Sequence, residues 1–124
     1  MFVVNDDKSI YLTRGDIATI EVSVKDGDVD YTFKDGDVVR LNVFEKKDCG
    51  CVVLQKDVAI NGGNTVIDIN LTKEDTKIGE PISKPKEYWY EIELNPETGP
   101  QTIIGYDEKG PKIFKLYPEG GDAQ

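Results

Sequence analysis

Hydrophobic and polar residues alternate along several short stretches of the chain, which is the period of a strand that buries one face. The clearest stretch is residues 86–94, with the sequence KEYWYEIEL. One face of that stretch would carry Tyr88, Tyr90, Ile92 and Leu94, and the other would carry Glu87, Trp89, Glu91 and Glu93. Aromatic and branched side chains suit a pleated, half-buried surface. We therefore predict a central strand here that packs on one face only.

The same alternation predicts further strands, which are separated by turn residues such as Asp-Gly. These strands are expected at residues 10–12, 17–25, 38–44, 52–60, 65–71, 101–106 and 111–117. Residues 40–60 have the pattern of a hairpin with its tip at residues 46–50. Lys56 falls among the inward positions of the second arm, with Val52, Leu54 and Val58. A bulge, or an edge position from which the lysine stem extends along apolar surface, would explain it.

One helical turn is predicted after residue 71. Thr72 and Asp75 form a capping box of the Thr-x-x-Asp kind, and Gly79 is expected to end the turn. Because no longer helix is available for parallel crossovers, strand pairing should be mostly antiparallel.

The spacing of the elements favours an all-β fold. Seven or eight short strands at intervals of about ten residues, with at most one helical turn, are typical of an antiparallel β-sandwich or barrel. A chain of 124 residues buries enough surface to fold as one domain. We assign residues 1–117 to that domain and residues 118–124, which are small and polar, to a flexible tail.

Charge and composition disfavour several classes of function. The net charge is −9, from 15 basic and 24 acidic residues, and such a field repels phosphate backbones and anionic lipids. We therefore expect neither a nucleic-acid nor a membrane partner. The chain has no histidine, the commonest general base and transition-metal ligand. We expect no enzyme activity, no catalytic residue, no cofactor and no metal.

The N-terminus carries neither a basic segment nor an apolar segment of the length found in secretory signals. No apolar run approaches the roughly 18 residues that span a bilayer. The expectation is a protein made in the cytoplasm that leaves, if it leaves, by a route without a signal, such as lysis of a host cell.

Cys49 and Cys51 are the first candidate site. Two thiols could bind a soft metal or act as a redox pair, but zinc prefers four ligands. A disulfide across one intervening residue would be strained. We expect reduced thiols in an exposed loop, with a metal or redox role as the alternative.

Three turn sequences resemble known binding motifs. Arg14-Gly15-Asp16 is the integrin-binding tripeptide, but its glycine also has an ordinary turn role. The aspartate-rich turns at residues 26–30 and 35–37 could bind calcium, yet the glycine and glutamate of an EF-hand loop are absent. We expect an ordinary turn at residues 14–16 and solvated turns at the two aspartate-rich stretches.

Trp89 is the most informative side chain, because it lies on the glutamate-bearing face of the central strand. A tryptophan there is covered by a loop or a partner subunit, or it forms a contact platform for a sugar or another protein. Phe44 and Val38 also fall on outward positions, so Trp89, Phe44 and Val38 are the predicted interaction surface. Glu91 and Glu93 lie about 7 Å apart, which suits glycosidase carboxylates but is also common on a soluble sheet face.

Residues 10–24, IYLTRGDIATIEVSV, resemble the opening of the N-terminal domain of the upper baseplate proteins of phages of Gram-positive bacteria. In that family an LTRGDTA-type turn leads into a long alternating strand. The likeness continues at residues 37–47 (DVVRLNVFEKK), 52–56 (VVLQK) and 71–76 (LTKEDT), before the strand at residues 86–94.

This resemblance implies an immunoglobulin-like β-sandwich that serves as a virion structural piece and acts through protein–protein contacts. It implies other virion or tail proteins as partners, or a further copy of this chain, and a place in the virion. A baseplate, tail, neck or head-decoration component all stay open. The alternative that the residues allow is a carbohydrate- or cell-surface-binding module that uses Trp89.

Overall fold

The computed structural model describes residues 2–5, 7–26, 28–46, 51–105 and 110–119, and strands dominate them. In chain order, the elements are β1 (Phe2–Val4), β2 (Ile10–Thr13), β3 (Ala18–Val22), β4 (Lys25–Asp26), β5 (Val29–Asp30), β6 (Val38–Phe44), β7 (Val52–Ala59), β8 (Ile67–Leu71), α1 (Lys73–Thr76), β9 (Lys86–Leu94), β10 (Gln101–Ile104) and β11 (Lys112–Tyr117). The all-β prediction is confirmed. The eleven strands of these described residues exceed the expected seven or eight because β1, β4 and β5 are pieces of two or three residues.

β9 is the central strand of a seven-stranded sheet. The order of this large sheet is β1-β2-β11-β9-β6-β7, and β10 adds to β9 beyond the end of β11. The bounds of β9 are those predicted from the alternation, residues 86–94. Its inward side chains, Tyr88, Tyr90, Ile92 and Leu94, are all buried. The prediction of a central strand with one packed face is therefore confirmed.

The large sheet is mixed, because β2 and β11 run parallel. Phe114 lies opposite Ile10 and Leu116 opposite Leu12, whereas the other pairs are antiparallel. The prediction of mostly antiparallel pairing holds for the other pairs and fails for this one. It assumed that a parallel pair needs a crossover helix, but these strands lie near opposite ends of the chain, and the body of the domain connects them.

A second, smaller sheet shares its core with the large one. β3 and β8 pair antiparallel from Ala18 opposite Leu71 to Val22 opposite Ile67, and β4 and β5 form a short separate ladder. The apolar faces of β3, β8 and the large sheet contribute to one cluster of buried side chains. Its largest fully buried members are Phe33, Phe114, Ile10, Leu12, Leu41, Ile69, Leu71, Ile92 and Leu116. The two-residue alternation therefore decides which side chains reach the core.

Lys56 lies on the inward side of β7, the last strand of the large sheet. Its Nζ is 2.9 Å from Asp75 Oδ2, and both side chains are partly exposed. The edge position predicted for this lysine is confirmed. The register irregularity of the β6–β7 ladder lies elsewhere, between Val43 and Phe44.

The predicted capping box is present at the start of α1. The Thr72 hydroxyl accepts the Asp75 N–H at 3.1 Å, and the Asp75 carboxylate accepts the Thr72 N–H at 2.9 Å. The helix ends at Thr76, three residues before the predicted Gly79. The turn is therefore shorter than the sequence indicated.

The turn at residues 14–16 is packed into the domain. Arg14 is buried, and its guanidinium donates to the Gly79 carbonyl at 2.8 Å. Gly15 has a φ of +88°, and its N–H donates to the hydroxyl of Thr76 at 3.0 Å. The arginine of the integrin-like tripeptide is therefore used inside the domain, as an ordinary structural turn requires.

The structure describes two residues after β11. Pro118 and Glu119, which we assigned to the tail, are half-buried. The rest of the predicted tail, residues 120–124, lies outside the described residues.

Candidate interaction surface

The face of the large sheet that points away from the core carries Trp89 in its centre. Phe44 on β6 lies directly opposite Trp89 on one side, and Ile113 on β11 lies opposite it on the other. On β7, Val52 lies opposite Phe44. We call these four side chains, which cross four neighbouring strands, the apolar row.

The apolar row is continuous and partly exposed. Directly opposed residues have Cβ atoms about 4.5–5.5 Å apart, so the row spans roughly 14 Å across the sheet. Val52 is 45% exposed, and Phe44, Trp89 and Ile113 are half-buried. The row therefore keeps apolar area that a partner could remove from water.

Val38, the third residue predicted for this surface, lies apart from the row. It is at the other end of β6, opposite Ala59, and six residues before Phe44. That separation is about 20 Å along the strand. The structure thus brings Trp89 and Phe44 together and leaves Val38 outside.

Acidic and amide groups border the row on β9 and β6. Glu91 lies opposite Asn42, whose Nδ2 donates to Glu93 Oε1 at 3.1 Å. Gln55 donates to Asn42 Oδ1 at 3.1 Å. Burial, followed by repulsion from Glu93, raises the pKa of Glu91, although a hydrogen bond with Asn42 opposes the rise. Negative charge that is only partly compensated therefore lies two residues from Trp89.

A lysine between two tyrosines borders the row on β11 and β2. Lys115 Nζ lies 5.6 Å from the ring centres of both Tyr11 and Tyr117. The two rings are 5.9 Å apart. Cation–π contacts at exposed sites are worth about 0.5–1 kcal/mol. Since Lys115 lies opposite Glu87, this border is balanced in charge, unlike the border at Glu91.

Arg40 forms ion pairs with Asp57 and Glu97. Its Nε and Nη2 donate to Asp57 Oδ1 and Oδ2 at 2.7 and 3.0 Å, and its Nη1 donates to Glu97 at 2.8 Å. The hydrogen bond from Arg40 holds the pKa of Asp57 below its usual range. Arg40 therefore neutralises acids at the far end of the sheet and not the charge beside Trp89.

The two carboxylates of this surface come from the same strand. Glu91 and Glu93 project from one face of one strand, whereas glycosidases place two carboxyl groups on either side of the scissile bond. Within the described ranges, no group of three or more His, Cys, Asp or Glu side chains is placed to hold a metal ion.

Cys51 precedes β7 and is exposed. It is disulfide-bonded, so the predicted reduced thiol is wrong for this residue. The prediction rested on the strain expected of a disulfide across one intervening residue, and Cys51 is bonded despite that expectation. Cys49 lies outside the described residues.

The second aspartate-rich turn uses its carboxylates within the domain. Asp37 is buried, and its Oδ2 accepts from the Tyr31 hydroxyl at 2.8 Å and from the Lys34 N–H at 2.9 Å. Its Oδ1 accepts from Asn95 Nδ2 at 3.0 Å. Asp35 accepts a backbone N–H at 2.6 Å. These carboxylates therefore organise the turn, and the expected solvated turn is wrong for Asp37.

Sequence reasoning missed two members of the apolar row. Val52 has the inward position in a regular strand, and the register irregularity opposite Phe44 turns it to the outward face. Ile113 alternates with Phe114, so its outward position was readable. The order of the strands in the large sheet could not be predicted from the sequence, and it is this order that places the four side chains in one row.

Comparisons with known proteins add no relative. No helix of the described residues is long and apolar enough to cross a membrane. No family model, no curated protein and no solved structure matches this chain.

Proposed function

We propose that this chain is a structural protein of a phage or prophage virion, an immunoglobulin-like module that acts through protein–protein contacts at the apolar row. The observation that carries the proposal is the apolar row itself, four directly opposed side chains with Glu91, Asn42 and Lys115 on the neighbouring outward positions. The likeness of residues 10–24, 37–47 and 71–76 to the N-terminal domain of upper baseplate proteins provides the virion context.

The strand order supports the immunoglobulin-like part of the proposal. In the variable-type fold, strands G, F, C and C′ share one sheet and strands B and E belong to the other. Taken in chain order, β3, β6, β7, β8, β9 and β11 would take the positions B, C, C′, E, F and G. The observed order β11-β9-β6-β7 and the pair β3-β8 agree with those positions.

The composition of the surface supports a protein partner. Protein interfaces concentrate aromatic residues in a centre that polar residues surround. Trp89 and Phe44 form such a centre, with Glu91 and Lys115 on its two borders. A partner that carries an apolar ridge and a basic residue on the Glu91 side would complement both features.

Incorporation into particles tests the proposal. Cells that encode this chain would be induced to produce particles while expressing a tagged copy, either unchanged or with Trp89→Ala and Phe44→Ala. We expect the unchanged copy in gradient-purified particles and at least about a tenfold loss of the double variant, because central aromatic residues dominate interfaces. Val38→Ala is the matched control, since it lies on the same face of β6 but outside the row.

Circular dichroism and thermal melting would establish that each variant is folded. Particles that lack the unchanged copy would contradict the virion role. Equal incorporation of the double variant and of Val38→Ala would contradict the role of the apolar row.

A carbohydrate- or cell-surface-binding module is the second candidate function. It is favoured by a half-buried indole with the carboxylates of Glu91 and Glu93 nearby, since sugars stack on aromatic rings and hydrogen-bond to such groups. Trp89 is the only tryptophan, so its fluorescence reports on this surface alone. Glycan binding that Trp89→Ala removes and Val38→Ala retains would favour this function over the virion role.

A further inference from the structure

The edges of the large sheet carry features that block pairing with another chain. β1, at one edge, has three residues. β7, at the other edge, has eight residues, but it carries the inward Lys56 and the register irregularity opposite Phe44. Short strands, inward charges and bulges are the usual protections of an exposed edge.

β3 lacks all three protections. It has five residues, with Ala18, Ile20 and Val22 buried and Thr19 and Glu21 exposed, and its ladder with β8 has no register shift. Within the described part of the chain, β3 pairs with β8 alone. About half of its backbone N–H and C=O groups therefore point away from β8 and toward the open edge.

The other strand of the small sheet is less open. A groove of about 290 Å³ separates β8 from the end of β7, with Val58 and Ile60 on one side and Ile67 and Asp68 on the other. The ion pair between Lys56 and Asp75 joins β7 to the helix that follows β8. Among the described residues, β3 is bordered only toward its end, where Glu21 and Ser23 share a groove with Lys8 and residues 101–104 of β10, so its edge is the more open one of the small sheet.

We propose that β3 pairs antiparallel with β3 of a second copy, about a two-fold axis at Ile20, to form a four-stranded sheet in the order β8-β3-β3-β8. In this register Ile20 faces itself, Ala18 faces Val22 and Thr19 faces Glu21. Apolar positions then face apolar positions, so both copies keep the same face toward their cores. A shift of this register by one residue would place buried positions opposite exposed ones.

Charge also favours this register. Thr19 of one copy lies beside Glu21 of the other, twice in the dimer, so no two acids are directly opposed. An axis at Glu21 would instead oppose that glutamate to itself, which is unfavourable. Each copy carries a net charge of −9, so added salt should strengthen association by screening the remaining repulsion.

An exposed isoleucine and a groove fit each other in the same register. Ile17 precedes β3 and is 75% exposed, the highest value among the exposed large hydrophobic residues of the described chain. Ile17 would lie opposite Ser23 of the second copy. Ser23 lines a groove of about 490 Å³ in which Val24, Ile103 and Ile104 alternate with polar residues such as Lys8, Glu21 and Thr102. The dimer would therefore place the exposed isoleucine beside a groove that contains three apolar side chains.

This inference does not depend on the proposed function. It concerns the small sheet, whereas the apolar row lies on the outer face of the large sheet. Trp89→Ala should leave the association constant unchanged, so failure of one proposal is distinguishable from failure of the other.

The experiment is sedimentation equilibrium of the full chain from micromolar to millimolar concentration, at low and high salt. We expect a monomer–dimer equilibrium that salt strengthens. Ile17→Ser should raise the dissociation constant at least about tenfold, because two isoleucines lose buried area. Val53→Ser is the matched control, since Val53 is 39% exposed and lies on β7 of the large sheet, and it should have no effect.

A pair of charge variants tests the register. Thr19→Glu would oppose glutamate to Glu21 twice and should weaken the dimer roughly tenfold, whereas Thr19→Lys should strengthen it. Both variants lose the 2.9 Å hydrogen bond from Thr19 to Asn70, and a thermal melt of each variant would separate its effect on folding from its effect on association. Adding Glu21→Lys to Thr19→Glu should restore the dimer.

Hydrogen exchange provides a second measurement. Amides of β3 should gain protection as the concentration rises, while amides of β7 should not. A chain that remains monomeric at millimolar concentration would overturn the proposal. So would a dimer that responds equally to Thr19→Glu and Thr19→Lys, or one that Ile17→Ser leaves intact.

Discussion

At the scale of single residues, Asp37 joins three segments of the chain. Its carboxylate accepts hydrogen bonds from Tyr31, Lys34 and Asn95. Asn95, whose φ is +51°, also accepts the N–H of Val38 at 2.9 Å. Burial would raise the pKa of Asp37, but the hydrogen bonds outweigh burial and hold it below the usual value. The start of β6 and the end of β9 are therefore fixed through one ionised side chain.

Asp37→Asn should lower the free energy of unfolding by about 2 kcal/mol, because the new amide nitrogen would meet a donor where an acceptor is needed. The expected fall in Tm at pH 7 is about 5–10 °C. Differential scanning calorimetry would measure it, with Asp68→Asn, an exposed aspartate of β8, as the control. Equal Tm values for the two variants would show that the Asp37 network contributes little.

The pKa of Glu91 is shifted in the opposite direction to that of Asp37, so its contribution to stability has the opposite dependence on pH. Its pKa is raised in the folded chain by burial and by Glu93, so ionisation is less favourable in the folded state than in the unfolded state. The stability that Glu91 contributes is present below the ordinary value of 4.5 and is lost as the pH rises through the raised pKa.

Glu91→Gln, which cannot ionise, should therefore increase the free energy of unfolding at pH 7 by about 0.5 kcal/mol. The gain should vanish near about pH 3.5, where the wild-type carboxyl is protonated in both states. Urea denaturation at the two pH values would test this, with exposed Glu80→Gln as the control. A gain of the same size at both pH values would contradict the explanation.

At the scale of elements, alternation located the strands but not their neighbours. The bounds of β9 and the hairpin of β6 and β7 follow from the two-residue period, because side-chain burial in a strand is a local property. The parallel pairing of β2 with β11 depends on contacts between distant parts of the chain, which no local pattern records. Trp89 and Phe44 were accordingly predictable as outward residues, whereas their direct opposition and the outward turn of Val52 were not.

We expect Lys56 to matter more for preventing association at the β7 edge than for the stability of the fold. Lys56→Leu should change the free energy of unfolding by less than about 1 kcal/mol, since a partly exposed ion pair contributes little. It should nevertheless increase association, because an inward charge would no longer protect the β7 edge. Light scattering during a thermal melt would measure this, with exposed Lys84→Leu as the control. Unchanged scattering would show that Lys56 does not protect the edge.

At the scale of the whole molecule, the two sheets present different surfaces. The outer face of the large sheet offers side chains, the apolar row and its borders, whereas the open edge of β3 offers backbone groups. The two proposals together would give the chain a two-fold contact that closes at the dimer and a second surface through which a different partner could join dimers into a larger assembly. The acidity that both surfaces share links their behaviour to salt and pH.

The charge of the whole chain predicts a maximum of stability on the acid side of neutrality. With 24 acidic and 15 basic residues, self-repulsion at pH 7 should destabilise the fold, so salt should raise the Tm and mild acidification should increase stability. Further acidification should reverse this, because the pKa values of four aspartates lie below their usual value. A hydrogen bond from Ser9 lowers that of Asp7, and one from Arg40 lowers that of Asp57. For Asp37 and Asp75, hydrogen bonds outweigh the effect of burial.

A group with a lowered folded-state pKa stabilises the fold above the unfolded-state value of 3.8 and loses that contribution as the pH falls toward its folded value. The free energy of unfolding should therefore be greatest near about pH 5 and fall steeply below about pH 4. Urea denaturation from acid to neutral pH, at low and high salt, would trace this curve. The neutral limb of the curve arises from repulsion between exposed charges, and the acid limb arises from local hydrogen bonds. High salt should therefore flatten the neutral limb more than the acid limb. Stability that rises steadily from pH 5 to pH 8 would show that specific ion pairs, and not the net charge of −9, control the neutral limb.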